Sequence, residues 1–414
     1  MVTKLDVFLE LYKKGSPVKI VDIAKSLGQK KAGYEKTRKI LEALRKEGKA
    51  AKNEYGYEQI LNWENQHLYN MLIYCLRNGV NYNEIFSETL AKYLSKAMPR
   101  KEFAAKNVNI HPKTFSRISR ILEKNGFLIV LSRKPFKASI PKSKFLSDIA
   151  SYYGCNIKQT NNKARDHILE IKKELAKFNS LKQKNIRKYQ NIIEQFQIKF
   201  IQHSLSIEGN PVTLAQTIKI LKEKIMPENL SVEHAEEVRN YQKAFLQMLQ
   251  NVQGETPLTK ETMLNYHFIA MQHNPDIAGK IRDVPVIIKG NEDFKTASQE
   301  EIRELINKLT SKYKEFTQKK KHALKETLEF SAYLHNEFQY IHPFIDGNSR
   351  TARLILFHFL QQNNIPVFDV PLGLLESYVA TTKGAKKRSD KKLSETLQQI
   401  ILYNLKTINE KLDS

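Results

Sequence analysis

Apolar residues recur every three to four positions through most of the chain, a spacing that is typical of amphipathic helices. Glycine is scarce, at 15 of 414 residues, and periodic apolar stretches dominate. Behind a Gly-Asn turn, helical spacing continues without proline or glycine as far as Pro366, through Leu354, Ile355, Phe357, Phe359 and Leu360. The pattern predicts a mostly α-helical protein, with one helix from Ser349 to Gln361.

One outline occurs twice in the first 150 residues. The first copy has three helices and a small hairpin, predicted at 5–13, 19–27, 34–47 and 50–60. The second has two helices and an apolar run, at 101–107, 111–124 and 127–131. Helices followed by a hairpin are the outline of a winged helix. We therefore expect winged-helix-like domains at 1–60 and 61–145, and then a linker at 146–200 in which Asn161 to Gln197 form one long polar helix.

The positive charge of the chain is concentrated near its start. The net charge is +24, and residues 1–150 hold 29 Lys and Arg against 14 Asp and Glu. This excess predicts an acidic partner, most simply DNA, bound by the third helix of each outline. The candidate contacts are Lys36, Arg38, Lys39, Lys113, Arg117 and Arg120. A solvated surface or a protein-docking module is the alternative, and because winged helices commonly pair, a homodimer stays open.

Targeting features are missing from the sequence. No apolar run approaches the length of a membrane span, and charged residues interrupt the stretch from Met1 to Gly15, so neither a membrane anchor nor a signal peptide is expected. Only Cys75 and Cys155 occur, so no disulfide framework or zinc site is expected. These observations predict a cytoplasmic protein.

The segment from His342 to Arg353 collects the groups that a nucleotide-phosphate site needs. Gly347 permits a turn that points backbone N–H groups into one concavity, and the following helix N-terminus favours an anion. Arg350 and Arg353, three residues apart, project from one side of that helix and can each hold phosphate oxygens. Asp346 can hold Mg²⁺ against the same phosphates, and His342 can take a proton near neutral pH. Each residue alone also fits a structural role, but their joint order favours the phosphate site.

The same segment, read as H-P-F-I-D-G-N-S-R-T-A-R, resembles the signature of the Fic family, H-[PX]-F-x-[DE]-G-N-G-R-x-x-R. Most members transfer AMP from ATP to a hydroxyl side chain of a protein. The resemblance implies a helical Fic catalytic domain over 201–405, with His342 as the base and Asp346 as the Mg²⁺ ligand. It further implies that the phosphates are bound by Gly347, Asn348, Ser349, Arg350 and Arg353.

Ser349 departs from this signature, because it stands where the second glycine is usual. A serine would be strained if the site required a positive φ, and its side chain could crowd the phosphates. The nucleotide preference therefore stays open.

A second motif, Ser204-Leu205-Ser206-Ile207-Glu208-Gly209, resembles the inhibitory motif [S/T]-x-x-x-E-[G/N] of the same family. The resemblance implies that Glu208 pairs with Arg353 and keeps that arginine from the γ-phosphate. Gly209 is also a suitable C-terminal cap for a helix that ends at Glu208. The inhibitor would then lie in the same chain, on the N-terminal side of the catalytic signature.

Two weaker matches complete the resemblance. The apolar run Val286-Ile287-Ile288 predicts a short hairpin, at the position of the family's flap, which clamps a target segment as an added strand. Tyr378 falls where family members often place a tyrosine near the adenine, although it could equally be a core residue.

Two functions follow from these readings. The first is a protein adenylyltransferase that uses Mg-ATP to modify a Ser, Thr or Tyr hydroxyl of a target protein or of its own chain, restrained by Glu208 and recruited to DNA by its N-terminal domains. Removal of AMP, with Glu208 positioning a water, would use the same site. The alternative is a DNA-binding transcriptional regulator in which the Fic domain only senses a nucleotide.

Overall fold

The computed structural model describes residues 2–157, 166–288, 295–319, 321–366, 369–382 and 388–414. The chain divides into two compact units, residues 1–87 and 88–414. In the described ranges helices dominate, and the strands form two separate antiparallel hairpins. The predicted mostly helical fold class is thereby confirmed. None of the helices in these ranges has the length and apolar content needed to cross a bilayer.

The first unit contains α1 (Lys4–Lys14), α2 (Ile20–Ser26), α3 (Tyr34–Lys46), β1 (Ala50–Asn53), β2 (Gly56–Gln59), α4 (Trp63–Arg77) and α5 (Tyr82–Ile85). A capping box between Thr3 and Asp6 starts α1. Most of its apolar face is buried, through Val7, Phe8, Leu9, Leu11 and Tyr12, and α3 buries Leu41 and Leu44. Three helices and a hairpin thus lie where the sequence predicts them, whereas their assignment to the winged-helix class stays a prediction.

The second unit begins with another helix–hairpin module, which comprises α6 (Glu88–Ala97), α7 (Ala105–Val108), α8 (Pro112–Lys124), β3 (Ile129–Arg133), β4 (Phe136–Ser139) and α9 (Lys144–Tyr152). The predicted helix at 101–107 is wrong in its extent, because only a single turn forms and α6 supplies the longer helix. The predicted domain boundaries at 60, 145 and 200 stay predictions.

Two helices, α10 (Ile168–Lys184) and α11 (Ile186–Ile207), replace the single polar helix predicted over 161–197, of which 161–165 lie outside the described residues. The break falls at Asn185, whose φ of −135° and ψ of 51° are not helical. A periodic pattern does not reveal such a break, because the apolar spacing resumes directly after it.

The remaining helices are α12 (Leu214–Ile218), a π-helical turn (Lys219–Glu223), α13 (Val232–Gln253), α14 (Lys260–Ala270), α15 (Ile302–Gln318), α16 (Leu324–Ile341), α17 (Asn348–Gln362), α18 (Leu372–Thr382) and α19 (Asp390–Asp413). The residues of α17 from Arg350 to Leu360 are all buried, since α13, α14 and α16 pack around it. This central position places the N-terminus of α17 and its preceding loop among several helices of the domain.

Candidate functional site

The signature loop, residues 342–347, joins α16 to α17 and is held together by its own backbone and by Asn348. His342 ends α16 in the left-handed region, with a φ of 47°. The side chain of Asn348 accepts the N–H of Phe344 at 3.0 Å and donates to the carbonyl of Phe344 at 2.8 Å. The Asn348 amide, which the signature assigns to phosphate binding, therefore closes the loop, and only its backbone N–H remains for an anion.

Gly347 is required at the start of α17 for two reasons. Its φ of 76° is one that side-chain-bearing residues rarely adopt. A Cβ atom at this position would also lie 2.8 Å from the sulfur of Met271 and 3.0 Å from Nε2 of His267. The close approach of the α14 region to the loop thus depends on the missing side chain.

Gly347→Ala is expected to destabilise the protein by about 2–3 kcal/mol, because backbone strain and the close contacts with Met271 and His267 add together. Thermal unfolding of the purified variant would measure the loss. Gly209→Ala is the matched control, since Gly209 also has a positive φ, of 95°, but nothing within 4 Å of its Cβ position. An equal loss in both variants would show that the contacts with Met271 and His267 contribute nothing.

Two residues far from the signature in sequence hold its loop, and sequence reasoning missed both. His267 stacks on Phe344 with ring centroids 3.6 Å apart. Its Nδ1 accepts the N–H of Gly279 at 2.9 Å, so Nε2 carries the proton and donates to the carbonyl of Asp346, also at 2.9 Å. Burial lowers the pKa of His267 to about 4, which keeps the ring neutral in this arrangement.

The second of these residues is Arg282, which is almost fully buried. Its Nε donates to the carbonyl of His342 at 2.8 Å, and its backbone N–H donates to that of Pro343 at 2.9 Å. Its two terminal nitrogens donate to the carbonyls of Val284 and Ala297, at 2.8 and 2.6 Å. The sequence does not indicate that Arg282 supports the signature loop, because its partners are backbone carbonyls, which any residue type provides.

His342 has the state that a proton acceptor needs. Its Nδ1 lies 3.2 Å from the carbonyl of Gln339, which can only accept, so Nδ1 carries the proton and Nε2 holds the lone pair. Burial, together with the charge of Arg282, lowers the pKa of His342 to about 4 despite this hydrogen bond. The imidazole is therefore neutral at physiological pH and able to accept a proton.

Asp346 and Arg350 meet at the start of α17. Nη2 of Arg350 donates to Oδ2 of Asp346 at 2.9 Å, and the N–H of Gly347 donates to Oδ1 at 2.6 Å. Burial raises the pKa of the Asp346 carboxyl, but the Arg350 charge and the Gly347 hydrogen bond outweigh it, so the pKa lies below its usual value. Asp346 is thus a carboxylate at neutral pH.

The same place suits phosphates with a bound cation. The first N–H groups of the 15-residue helix α17 have no partner within the helix, and they point toward the side where Asp346 lies. Among the residues that the structure describes, no group of three His, Cys, Asp or Glu side chains could hold a metal ion. Asp346, with 62% of its side chain exposed, fits Mg²⁺ as one carboxylate that shares the ion with phosphate oxygens.

Arg353 is buried in a pocket closed by the end of α11. Its Nε donates to Oγ of Ser204 at 2.6 Å, and its Nη2 donates to the carbonyl of Ser204 at 3.0 Å. Oε1 of Glu208 lies 3.2 Å from Nη1 and 3.3 Å from Nη2. The guanidinium is 2% exposed, and every nitrogen has a partner on α11 or its end. The two motifs of the sequence therefore meet at one arginine, although they lie far apart in the chain.

The end of α11 brings Glu208 to Arg353. Gly209, with a φ of 95°, follows the helix, and the N–H of Asn210 donates to the carbonyl of Leu205 at 3.2 Å. The N–H of Gly209 donates to the carbonyl of Ser206, also at 3.2 Å, which completes a Schellman motif. The motif therefore has both predicted roles: Gly209 caps the helix, and the capped end holds Glu208 in place beside Arg353.

Ser349 lies in the first turn of α17 and has no positive φ. The strain that a serine would suffer in the left-handed region does not arise here, and the turn is made by Gly347 instead. Ser349 is half-buried beside the helix N-terminus.

Tyr378 is 1% exposed and belongs to the core, where its hydroxyl lies 2.7 Å from Nε2 of His335 and also near the guanidinium of Arg353. Val286, Ile287 and Ile288 do not form the predicted strand, because the backbone of residues 281–288 makes no ladder, and the Gly-Asn turn predicted after them, at 290–291, lies outside the described residues. Ile287 is nevertheless 80% exposed.

The six candidate DNA contacts all lie on exposed helix surfaces. Lys36, Arg38 and Lys39 project from α3, where Arg38 pairs with Glu35 at 2.7 Å. Lys113, Arg117 and Arg120 project from α8 in the second unit. The hairpin next to α8 faces the C-terminal helix instead, since Arg133 on β3 lies 2.7 Å from Glu410 of α19.

Comparison with known proteins agrees with this site. Residues 257–360 match the Fic/DOC family model. The protein adenylyltransferase Fic of Drosophila persimilis is 23% identical over 264 residues, which cover 63% of this chain and 50% of that protein. Its counterpart in Nematostella vectensis is 28% identical over 176 residues, which cover 42% and 40%. A crystal structure of a Fic domain containing signaling protein from Bacteroides thetaiotaomicron aligns with a TM-score of 0.51 at 22% identity, over 59% of this chain and 97% of that one.

The second unit therefore contains a helical domain with a loop that joins His342 to Arg350 and with a glutamate-paired arginine. Over residues 257–360 this domain matches the Fic/DOC family model, and the curated relatives and the structural likeness agree with that match. The chain spans about half the length of the curated relatives that it matches, since the aligned part covers 50% of the Drosophila persimilis protein.

Proposed function

We propose that this protein is an adenylyltransferase that transfers AMP from Mg-ATP to a Ser, Thr or Tyr hydroxyl of a target protein, which includes its own chain as a candidate. The observation that carries the proposal is that a neutral His342, an ionised Asp346 and the phosphate-binding start of α17 share one loop. The curated relatives named as protein adenylyltransferases support it. A nucleotide sensor alone would not require a proton acceptor beside the phosphates.

The chemistry follows from these groups. Nε2 of His342 takes the proton of the target hydroxyl as its oxygen attacks the α-phosphorus. The bond from that phosphorus to the bridging oxygen breaks, and pyrophosphate leaves with the electron pair. Asp346 would hold Mg²⁺, which would neutralise charge on the phosphates. Arg350 and the N–H groups of α17 orient the phosphates, so positioning and charge stabilisation provide most of the rate.

We also propose that the contact between Glu208 and Arg353 restrains this activity. The Arg353 side chain is 2% exposed, and four of its five N–H donors are already used on Ser204 and Glu208, so the guanidinium is not free to hold a γ-phosphate. ATP would then bind in an unproductive pose until the end of α11 moves. The same glutamate, placed beside the phosphate site, would also suit the positioning of a water for removal of AMP.

Association with DNA is a second proposal, and it is separate from the catalytic one. The exposed basic residues of α3 and α8, together with the net charge of +24, favour it. A regulator that only senses a nucleotide is the alternative, and the neutral His342 argues against it.

Isotope labelling tests the proposed reaction. The Glu208→Gly variant is incubated with Mg-ATP labelled on either the α- or the γ-phosphorus, alone and with a lysate of its natural host. Protein labelled from the α-phosphorus and not from the γ-phosphorus is the expected result, because AMP is the transferred group. Label from the γ-phosphorus would indicate phosphoryl transfer instead. Nucleotide binding without any label would favour the sensing regulator.

A further inference from the structure

Arg350 lies between two carboxylates from different parts of the domain. Its Nη2 is 2.9 Å from Oδ2 of Asp346, and its Nη1 is 3.6 Å from Oε1 of Glu237 on α13. Only 4% of the Arg350 side chain is exposed, and its Nε has no hydrogen-bond partner among the described residues. The guanidinium is therefore shared, and neither carboxylate binds it through two parallel hydrogen bonds.

Glu237 is itself fixed by residues near the end of α11. Its Oε2 accepts Nδ2 of Asn210 at 2.5 Å, and Nε2 of His273 lies 3.5 Å from Oε1. Asn210 is held in turn, because its Oδ1 accepts the N–H of Val212 at 3.0 Å. The Glu237 carboxylate, with a side chain that is 17% exposed, thus has a defined position beside Arg350.

The way in which Asp346 and Glu237 share Arg350 affects how well Asp346 can bind a divalent cation. Both oxygens of Asp346 already have partners, since Oδ1 accepts the N–H of Gly347 and Oδ2 accepts from Arg350. A divalent cation at Asp346 competes with one of these partners, and Oδ2 is the oxygen whose partner is a side chain and not the backbone. A buried arginine that loses its only carboxylate partner strongly destabilises the folded protein, because its charge is left uncompensated. Because Glu237 stays beside Arg350, the arginine keeps a counter-charge when Asp346 turns to the cation.

We propose that Glu237 is a positioning residue that shares the Arg350 guanidinium with Asp346 and so keeps the Asp346 carboxylate available to a divalent cation on nucleotide phosphates. This inference rests on the proposed function. Without the charge of Glu237, Asp346 is the one carboxylate left beside Arg350 among the described residues, and the cation must compete with the guanidinium for it. Asn210 contributes by holding Glu237. Because Asn210 lies two residues after Glu208, the segment 208–210 contacts Arg353 directly and Arg350 through Glu237.

The test is Mn²⁺ binding to the full chain in the presence of saturating ADP, followed by electron paramagnetic resonance. ADP is chosen because it lacks the γ-phosphate that the proposed brake excludes. Glu237→Gln should weaken Mn²⁺ binding roughly fivefold, since the amide keeps the shape and removes the charge. Asn210→Ala should weaken it by a smaller factor, because Glu237 stays charged but loses its strongest partner. Thermal unfolding of each variant checks that it is folded.

Glu236→Gln is the matched control, because it removes the same charge from the neighbouring position of α13, where Glu236 pairs with Arg239 instead. Its Mn²⁺ affinity should equal that of the wild type. Equal affinities for Glu237→Gln and Glu236→Gln would overturn the positioning role. Asp346→Asn separates this failure from that of the site itself: if its Mn²⁺ affinity is also unchanged, the cation is not held at Asp346 and the proposed metal position is wrong.

Discussion

Glu208→Gly is expected to raise the rate of AMP transfer by roughly tenfold or more, because a tenfold change corresponds to only about 1.4 kcal/mol and Glu208 contacts a buried arginine. Removal of the carboxylate frees Nη1 of Arg353 and leaves Nη2 bonded only to the carbonyl of Ser204. The φ of −89° and ψ of 1° at Glu208 are open to glycine, so the end of α11 should keep its conformation. The released guanidinium can then hold the γ-phosphate.

The rate with labelled ATP, compared between wild type and Glu208→Gly at equal concentration, measures this effect. Glu208→Gln is the matched variant, since it keeps the size of the side chain and removes its charge, and its rate should lie between the other two. In the absence of nucleotide, Glu208→Gly should also unfold at a lower temperature than the wild type, because Arg353 is then a buried cation without a counter-charge. Saturating ATP should reverse that loss. Equal rates in all three proteins would reject the brake, while leaving the transfer reaction itself open to the labelling test.

How far the sequence predicts this site depends on which contacts are local. The groups from His342 to Arg353 occupy one loop and the first turns of one helix, so their spacing alone predicts that they face one place. The pairing of Glu208 with Arg353 spans a sequence separation of 145 residues, and only the family resemblance indicated it.

Residues that support the loop through backbone groups leave no such signal. Arg282 bonds to carbonyl oxygens and His267 to a carbonyl and an N–H, and neither kind of partner has a side-chain pattern to recognise. Glu237 belongs to the same class, since it reaches Arg350 across 113 positions of sequence from an ordinary helix. The residues that support the site are thus harder to predict from the sequence than the residues of the site, because each is of a common type and stands at no distinctive spacing.

The incorrect predictions of secondary structure have a similar cause. The break at Asn185 between α10 and α11 is invisible to hydrophobic spacing, because each helix has its own apolar face and neither proline nor glycine marks the junction. Val286 to Ile288 have the β-branched composition of a strand, but a strand needs a hydrogen-bonding neighbour, and among the described residues none pairs with them.

His342→Asn, made in the Glu208→Gly background, is expected to lower kcat at least about a hundredfold with little change in ADP affinity, since general base catalysis typically contributes 10²–10⁴-fold. Asparagine is preferred to alanine for this test because the φ of 47° at His342 lies in the left-handed region, which asparagine tolerates. Its amide cannot accept the proton of a hydroxyl at neutral pH, so the loop is kept and the base is lost.

The pH dependence of kcat separates a base from a merely structural histidine. The pKa of His342 is lowered to about 4, so the neutral form that accepts a proton is present above that pH and is lost as the pH falls through it. Transfer should therefore stay nearly constant from neutral pH down to about pH 5 and decline only below it, whereas a histidine with the ordinary pKa of about 6.5 would lose activity already near pH 6. His342→Asn should show no such limb in its residual rate. Full activity of His342→Asn, or an acidic limb that persists in it, would mean that another group removes the proton, because the geometry around His342 would then hold the loop without taking part in the reaction.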